Sequence, residues 1–124
     1  MISNFPNPAK KKMLHFATPI RMEQGTNART WRGTVKRIWV TFRTREGETL
    51  KQVFLYDPNF LLLIQLKNAT IGQKKMPYNL PEMMGHECVI EVLHDYSGNH
   101  YQTTITNIFD KQEYVEEPEE GEAE

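Results

Sequence analysis

The sequence predicts a small all-β fold, a five-stranded barrel with one short helix. Apolar residues recur at every second position through most of the chain, the period of a half-buried strand. Two polar segments with turn chemistry join such stretches into hairpins. One apolar run lacks the alternation and follows an Asp-Pro pair, as a helix would.

Residues 1–11 hold two prolines and two asparagines and run into Lys10, Lys11 and Lys12, so a flexible arm is expected ahead of a domain spanning residues 12–110. In the first strand Leu14, Phe16, Thr18, Ile20 and Met22 share one parity, and Pro19 marks an edge or a bulge. Glu23 to Arg29 is a polar loop. Thr30 to Thr44, TWRGTVKRIWVTFRT, reads as one long strand. Its inward parity switches from Trp31, Gly33 and Val35 to Ile38, Val40 and Phe42, which one extra residue near Lys36-Arg37 would explain as a β-bulge.

Arg45 to Glu48 reads as a hairpin turn, with Gly47 available for positive φ. The return strand is Thr49 to Asp57, with Lys51, Val53 and Leu55 on one face and Gln52, Phe54 and Tyr56 on the other. Asp57 as N-cap and Pro58 in the first turn start a buried helix over Asn59 to Ala69, closed near Gly72. A loop over Gln73 to Gly85 follows. Strands His86 to His94 and Tyr101 to Phe109 then pair through the turn residues Asp95 to Asn99, with Cys88, Ile90 and Val92 at one parity. Three strands, a helix and two strands is the order of the OB-fold, a partly open Greek-key barrel.

Charge divides the chain. All 15 Lys and Arg lie in residues 1–112 against nine acids, a net of +6. Glu113 to Glu124 carries seven glutamates and no Lys, Arg or His. A cationic body predicts a polyanion partner, and the tail is placed to compete for the same surface. Residues 111–124 cannot build a core and are expected to be disordered. The longest apolar run, Phe60 to Ile64, is far short of the ~18 residues a membrane span needs. Met1-Ile-Ser-Asn-Phe-Pro lacks the apolar stretch of a signal peptide, and the single cysteine excludes an internal disulfide, so a cytoplasmic protein is expected.

Binding an unpaired strand takes cations along the backbone path and flat rings for the bases. The first hairpin interleaves both. The stacking candidates are Trp39, Phe54 and Tyr56, with Trp31, which is also the better core candidate. The phosphate candidates are Arg29, Arg32, Lys36, Arg37, Arg43, Arg45 and Lys51, extended by Lys74 and Lys75 in the loop before the fourth strand. Buried rings and solubilising arginines are the plainer reading of each residue alone; their conjunction on one hairpin is more specific.

The hairpin TWRGTVKRIWVTFRTREGETLKQVFLYD, the pair HECVIEVLHDYSGNHYQTTITNIF and the tail EYVEEPEEGEAE together resemble phage-type single-stranded DNA-binding proteins. The resemblance covers nearly the whole chain, as a pattern rather than a signature. It implies sequence-independent coating of single-stranded DNA in replication or recombination, in a host cytoplasm if the protein is viral, with the tail docking partner proteins. Such tails often end in an aromatic residue, whereas this one ends Glu122-Ala123-Glu124 and holds only Tyr114.

Other chemistries fit less well. His86, Cys88, His94 and His100 include one cysteine, where structural zinc sites usually take two or more. Cys88 with a histidine is conceivable as a nucleophile pair, but its place in an apolar strand predicts a buried, inert thiol. No phosphate loop, HExxH or GxSxG motif is present, so no enzyme, cofactor or metal is expected. The rival is an OB-fold protein-interaction module, an inhibitor or assembly factor anchored by Phe54, Tyr56, Met83 and Met84. RNA is a further substrate, since stacking and charge do not read the 2′-OH. A domain of this size can act alone or as a homo-oligomer.

Overall fold

A computed structural model describes residues 10–31, 33–72, 80–96 and 101–114. The chain order is β1 (Lys10–Gln24), β2 (Ala28–Thr30), β3 (Gly33–Val35), β4 (Arg37–Thr44), β5 (Thr49–Leu55), α1 (Leu61–Thr70), β6 (Cys88–Asp95) and β7 (Gln102–Phe109). Short 3₁₀ turns occupy Leu80–Met83 and Lys111–Tyr114. Five strands form one antiparallel sheet in the order β5-β4-β1-β6-β7, curled into a half-barrel, while β2 and β3 pair apart from it. The core is the concave side: Ala17, Ile38, Val40, Phe42, Phe54, Ile90, Val92, Ile105 and Ile108 pack against Leu62, Leu63 and Leu66 of α1.

The long strand expected over Thr30 to Thr44 is interrupted at Lys36. The expected switch of inward parity is not found: Ile38, Val40 and Phe42 face the core, but Trp31 and Gly33 are exposed on a separate two-stranded ribbon, β2–β3, that precedes the sheet strand. Trp31 sits at that ribbon's tip, 89% exposed, and is not a core residue. The first strand also differs. It begins at Lys10, so Lys10 and Lys11 belong to the sheet. Ala17 and Pro19 are its buried residues, while Leu14 and Ile20 are exposed. The register shifts between Pro19 and Arg21, so Ile20 is the extra residue and Met22 returns to the core side. Sequence alternation ran through this bulge and assigned the wrong face to the first half of the strand.

The first hairpin carries a further shift. Gly47 adopts φ +96°, its N–H donates to the Thr44 carbonyl, and the Thr44 N–H donates to the Glu48 carbonyl. The turn therefore closes over Arg45, Glu46 and Gly47, pairing Arg43 with Thr49 and Trp39 with Val53. A loop one residue longer would have paired Trp39 with Phe54. A slip of one residue turns every side chain of the partner strand over, so Lys51, Val53 and Leu55 share Trp39's face and Phe54 points into the core.

Helix α1 starts later than expected. Asp57 Oδ1 accepts from the Asn59 N–H at 2.9 Å, an Asx-type turn, and the N-cap position falls at Phe60 without a side-chain cap. Its C-terminus closes as expected, with Gly72 at φ +82° just beyond.

The sheet is open between β5 and β7, and two glutamines bridge the gap. Gln52 Oε1 on β5 accepts from the Ile105 N–H of β7 at 2.9 Å. Gln65 on α1 accepts from the Ile108 N–H at 3.0 Å and donates to Asn107 Oδ1 at 3.0 Å. Edge-strand donors that would otherwise need water are satisfied by side chains. Gln65→Leu removes the acceptor and strands a partly buried donor, which predicts a loss of about 1–3 kcal/mol in urea denaturation. Gln65→Glu keeps the acceptor oxygen and should lose less.

Candidate nucleic-acid interface

The register of β1, β4 and β5 sorts the predicted residues into separate places. On the outward face the cross-strand rows are Glu23–Trp39–Val53, Arg21–Thr41–Lys51 and Thr18–Arg43–Thr49. Trp39 is 38% exposed and lies over Gly25, where a Cβ would stand only 2.9 Å from its Cδ1 and Nε1. Gly25 is therefore the seat of the ring: its missing side chain leaves room for the Cδ1–Nε1 edge of the indole, and its N–H donates to the Arg37 carbonyl at 2.8 Å. Arg37 borders the ring on the same face and donates from Nη1 to Thr26 Oγ1 at 3.0 Å.

This face brings together Arg37, Trp39, Arg43 and Lys51 of the predicted set. It adds Arg21, which is absent from the predicted set: sequence parity already turns it outward, but it lies outside the first hairpin and its flanks, and only the pairing of β1 with β4 brings it beside Trp39. Lys51 Nζ lies 3.3 Å from Glu23 Oε1 and Arg21 Nη1 3.8 Å from Glu23 Oε2, so one carboxylate is shared by two cations beside Trp39. Among the described residues no carboxylate pairs with Arg43. The result is a ring set among cations on a largely polar, part-exposed sheet face, with Val53 and Leu55 as its aliphatic members. Such exposed ion pairs contribute little to stability, and their cations remain available to an incoming anion.

Other predicted residues lie elsewhere. Phe54 is fully buried, its ring centroid 6.3 Å from those of Phe42 and Phe60, and so it is a core residue and not a stacking surface. Tyr56 is exposed but follows Phe54's parity. With Lys36, Met22, Gln24, Ile38, Leu80 and Pro81 it lines a cleft of about 420 Å³ at the mouth of the half-barrel. Arg29 sits on β2 opposite Thr34, on the ribbon that carries Trp31. Arg32, Lys74 and Lys75 lie outside the described residues.

Arg45 is engaged within the protein. Its Nε and Nη2 donate to Glu87 Oε2 and Oε1 at 2.7 and 2.8 Å, and its guanidinium covers the Phe16 ring at 4.0 Å. The Arg45 hydrogen bonds hold the Glu87 carboxyl below its ordinary pKa, assisted by Lys111 at 3.7 Å. This bidentate pair fastens the turn of the first hairpin to the residue just before β6, a role that competes with the phosphate contact expected of Arg45.

The thiol of Cys88 is buried in the core, and desolvation, then the charges of Glu87 and Asp110, push its pKa up to about 12. It is protonated at neutral pH and a poor nucleophile. Met83 is likewise fully buried, so with Phe54 it belongs to the core and not to an exposed docking surface. Among the described residues no three His, Cys, Asp or Glu side chains converge as a metal set, and no helix is long and apolar enough to cross a membrane. No protein-family model matches the chain and no curated protein matches its sequence, so the function is read from the chemistry of the surface.

Gly25→Ala tests the seat of Trp39. The added methyl must push the indole off the sheet, since the ring is freer to move than the backbone. In a Trp31→Phe background, Trp39 emission should shift to the red while stability changes by less than about 1 kcal/mol. Unchanged emission would mean that the loop, and not the ring, gives way.

Proposed function

We propose that this chain is an OB-fold protein that binds single-stranded DNA without sequence preference and serves DNA replication or recombination. The observation that carries the reading is Trp39, part-exposed against Gly25 amid Arg21, Arg37, Arg43 and Lys51. Stacking on an exposed ring and neutralising phosphates beside it are the two contacts an unpaired strand offers regardless of sequence. The fold supports the reading. Counting main-sheet strands alone, the order is third-second-first-fourth-fifth, with Gln52 bridging the seam between third and fifth, as a partly open Greek-key barrel would have it. The alternative, a protein-interaction module, loses support because two of its expected anchors, Phe54 and Met83, are buried.

Binding of labelled oligo-dT, followed by anisotropy, tests the reading. Trp39→Ala should weaken binding about tenfold, within the range of one stacked base, with the melting temperature little changed. Trp39→Phe should keep most of the affinity. The logarithm of the affinity should fall with that of the salt concentration, with a slope of about −2 to −4 for three to five phosphates. Binding indifferent to salt, or absent from the wild type at low salt, would sink the proposal. Duplex DNA and RNA as competitors define the substrate class.

The acidic tail then has a place as an internal competitor for the cationic face, and as a docking peptide for replication or recombination proteins. Deleting residues 115–124 removes six glutamates and leaves Tyr114, whose ring packs 5.4 Å from Phe109. At low salt the truncated chain should bind oligo-dT severalfold more tightly, and the gain should fade as salt rises. Equal affinities at low salt would exclude competition.

A further inference from the structure

The β6–β7 hairpin extends past the core and carries a second set of rings. Lys11 pairs with His94 and His94 with Thr103, so β1, β6 and β7 remain paired there. His94 stacks on Tyr101 at 5.7 Å and 15°, and Tyr96 stacks on Tyr101 at 5.0 Å and 20°. Tyr96 and His94 are themselves parallel within 13°. The Tyr101 hydroxyl is hydrogen-bonded to His94 Nδ1. His15 meets His94 edge-on at 6.0 Å from below. His94 is thus the inner ring, its Nε2 buried without a partner, and the tyrosines are the outer ones, 53% and 56% exposed.

His94 continues the parity of Ile90 and Val92, so these rings stand on the inward face of the sheet, beyond the end of the core. Trp39 stands on the outward face, near the opposite end of β1. Exposed Lys11 is the cross-strand neighbour of His94 and shares its face. Lys12 lies on the other face, 3.9 Å from Glu91 Oε1. Three rings parallel within about 20°, their centroids 5.0–6.5 Å apart, make a compact aromatic cluster with open tyrosine surface, beside a cation. A nucleobase can stack on such an exposed ring and bring its phosphate towards the cation.

We propose that Tyr96, Tyr101 and His94, with Lys11, form a second contact for single-stranded nucleic acid, taking one base on the exposed tyrosine surface and its phosphate on Lys11. It rests on the single-strand reading of the Trp39 face and adds a site on the other side of the sheet. One strand long enough to pass around the sheet edge engages both surfaces; a short one fills only one. Affinity therefore rises with length beyond what either surface alone gives.

The test uses the full chain with oligo-dT of about five and about twenty nucleotides, which span the usual site sizes of a single domain. Tyr96→Ala and Lys11→Ala should each weaken binding of the longer strand, Tyr96→Ala by at least about fivefold, the lower limit for one stacked base. Trp39→Ala should weaken both lengths. Photocrosslinking of the wild-type chain to oligo-dT bearing 5-iododeoxyuridine, read by mass spectrometry, should label Tyr96 or Tyr101 as well as Trp39. This second readout stands even if Tyr96→Ala unsettles the hairpin. Wild-type affinity in both variants, with crosslinks confined to Trp39, would overturn the second contact and leave the Trp39 reading intact. The rings would then serve only as a cross-strand pair holding the hairpin. No binding by the wild type at either length would overturn both.

Discussion

The turn over Arg45, Glu46 and Gly47 fixes which side chains of the first hairpin form the core and which form the surface. A strand has only two faces, and one residue of register separates them. Gly47 supplies the positive φ that lets three residues close the loop. Trp39 is thereby set against Val53 on the outside and Ile38 against Phe54 on the inside. With a four-residue loop, Phe54 would be exposed beside Trp39 and the core would lose the ring that joins Phe42 to Phe60. Exposing so large a side chain forfeits roughly 2 kcal/mol of burial or more, so the core and the turn select the same register.

This explains which parts of the fold were legible in the sequence. In β6 the inward residues Cys88, Ile90 and Val92 follow strict alternation, and all three are buried. Gly47 and Gly72 were readable as sites of positive φ because turn and helix closure demand it. Reading failed where one residue is inserted. Ile20 displaces the second half of β1 relative to the first, so Ala17 and Pro19, and not Leu14 and Ile20, face the core. The small, unremarkable Ala17 gave no sign of being buried, since burial there is set by the neighbouring strands. The candidate interface likewise depends on pairing. Phe54 was misplaced because the turn acts through register, to which composition is blind, and Arg21 was missed because only the pairing of β1 with β4 brings it beside Trp39. Tyr96 and Tyr101 lay within the reading, but as turn and strand residues; only the pairing of β6 with β7 brings their rings onto His94.

Side-chain amides hold the structure closed where backbone pairing stops. Gln52 and Gln65 satisfy two donors on β7 from two different elements, and Asn107 joins the same network through Gln65 and Glu91. Hydrogen bonds from Asn107 and Thr106 hold the Glu91 carboxyl below its ordinary pKa. An edge strand covered in this way is a poor template for pairing with another chain. The cost is that the seam tolerates little exchange, because each amide supplies a donor and an acceptor that no apolar residue replaces.

That use of amides bears on how the outward face could read a ligand. Telling one base from another takes directional donor and acceptor pairs, which asparagine and glutamine supply best. Gln52, Gln65 and Asn107 are engaged at the seam, and Gln24 opens on the cleft behind the sheet. The cross-strand rows of the outward face offer guanidinium, ammonium and hydroxyl groups, aliphatic side chains and one indole. A ring accepts any base, and a cation accepts any phosphate. Glu23, shared by Arg21 and Lys51, bridges those cations and offsets their mutual repulsion without neutralising the face as a whole. Under the single-strand reading, a lack of sequence preference follows from what these cross-strand rows carry: no amide stands in them, so they can stack and attract but have little with which to discriminate.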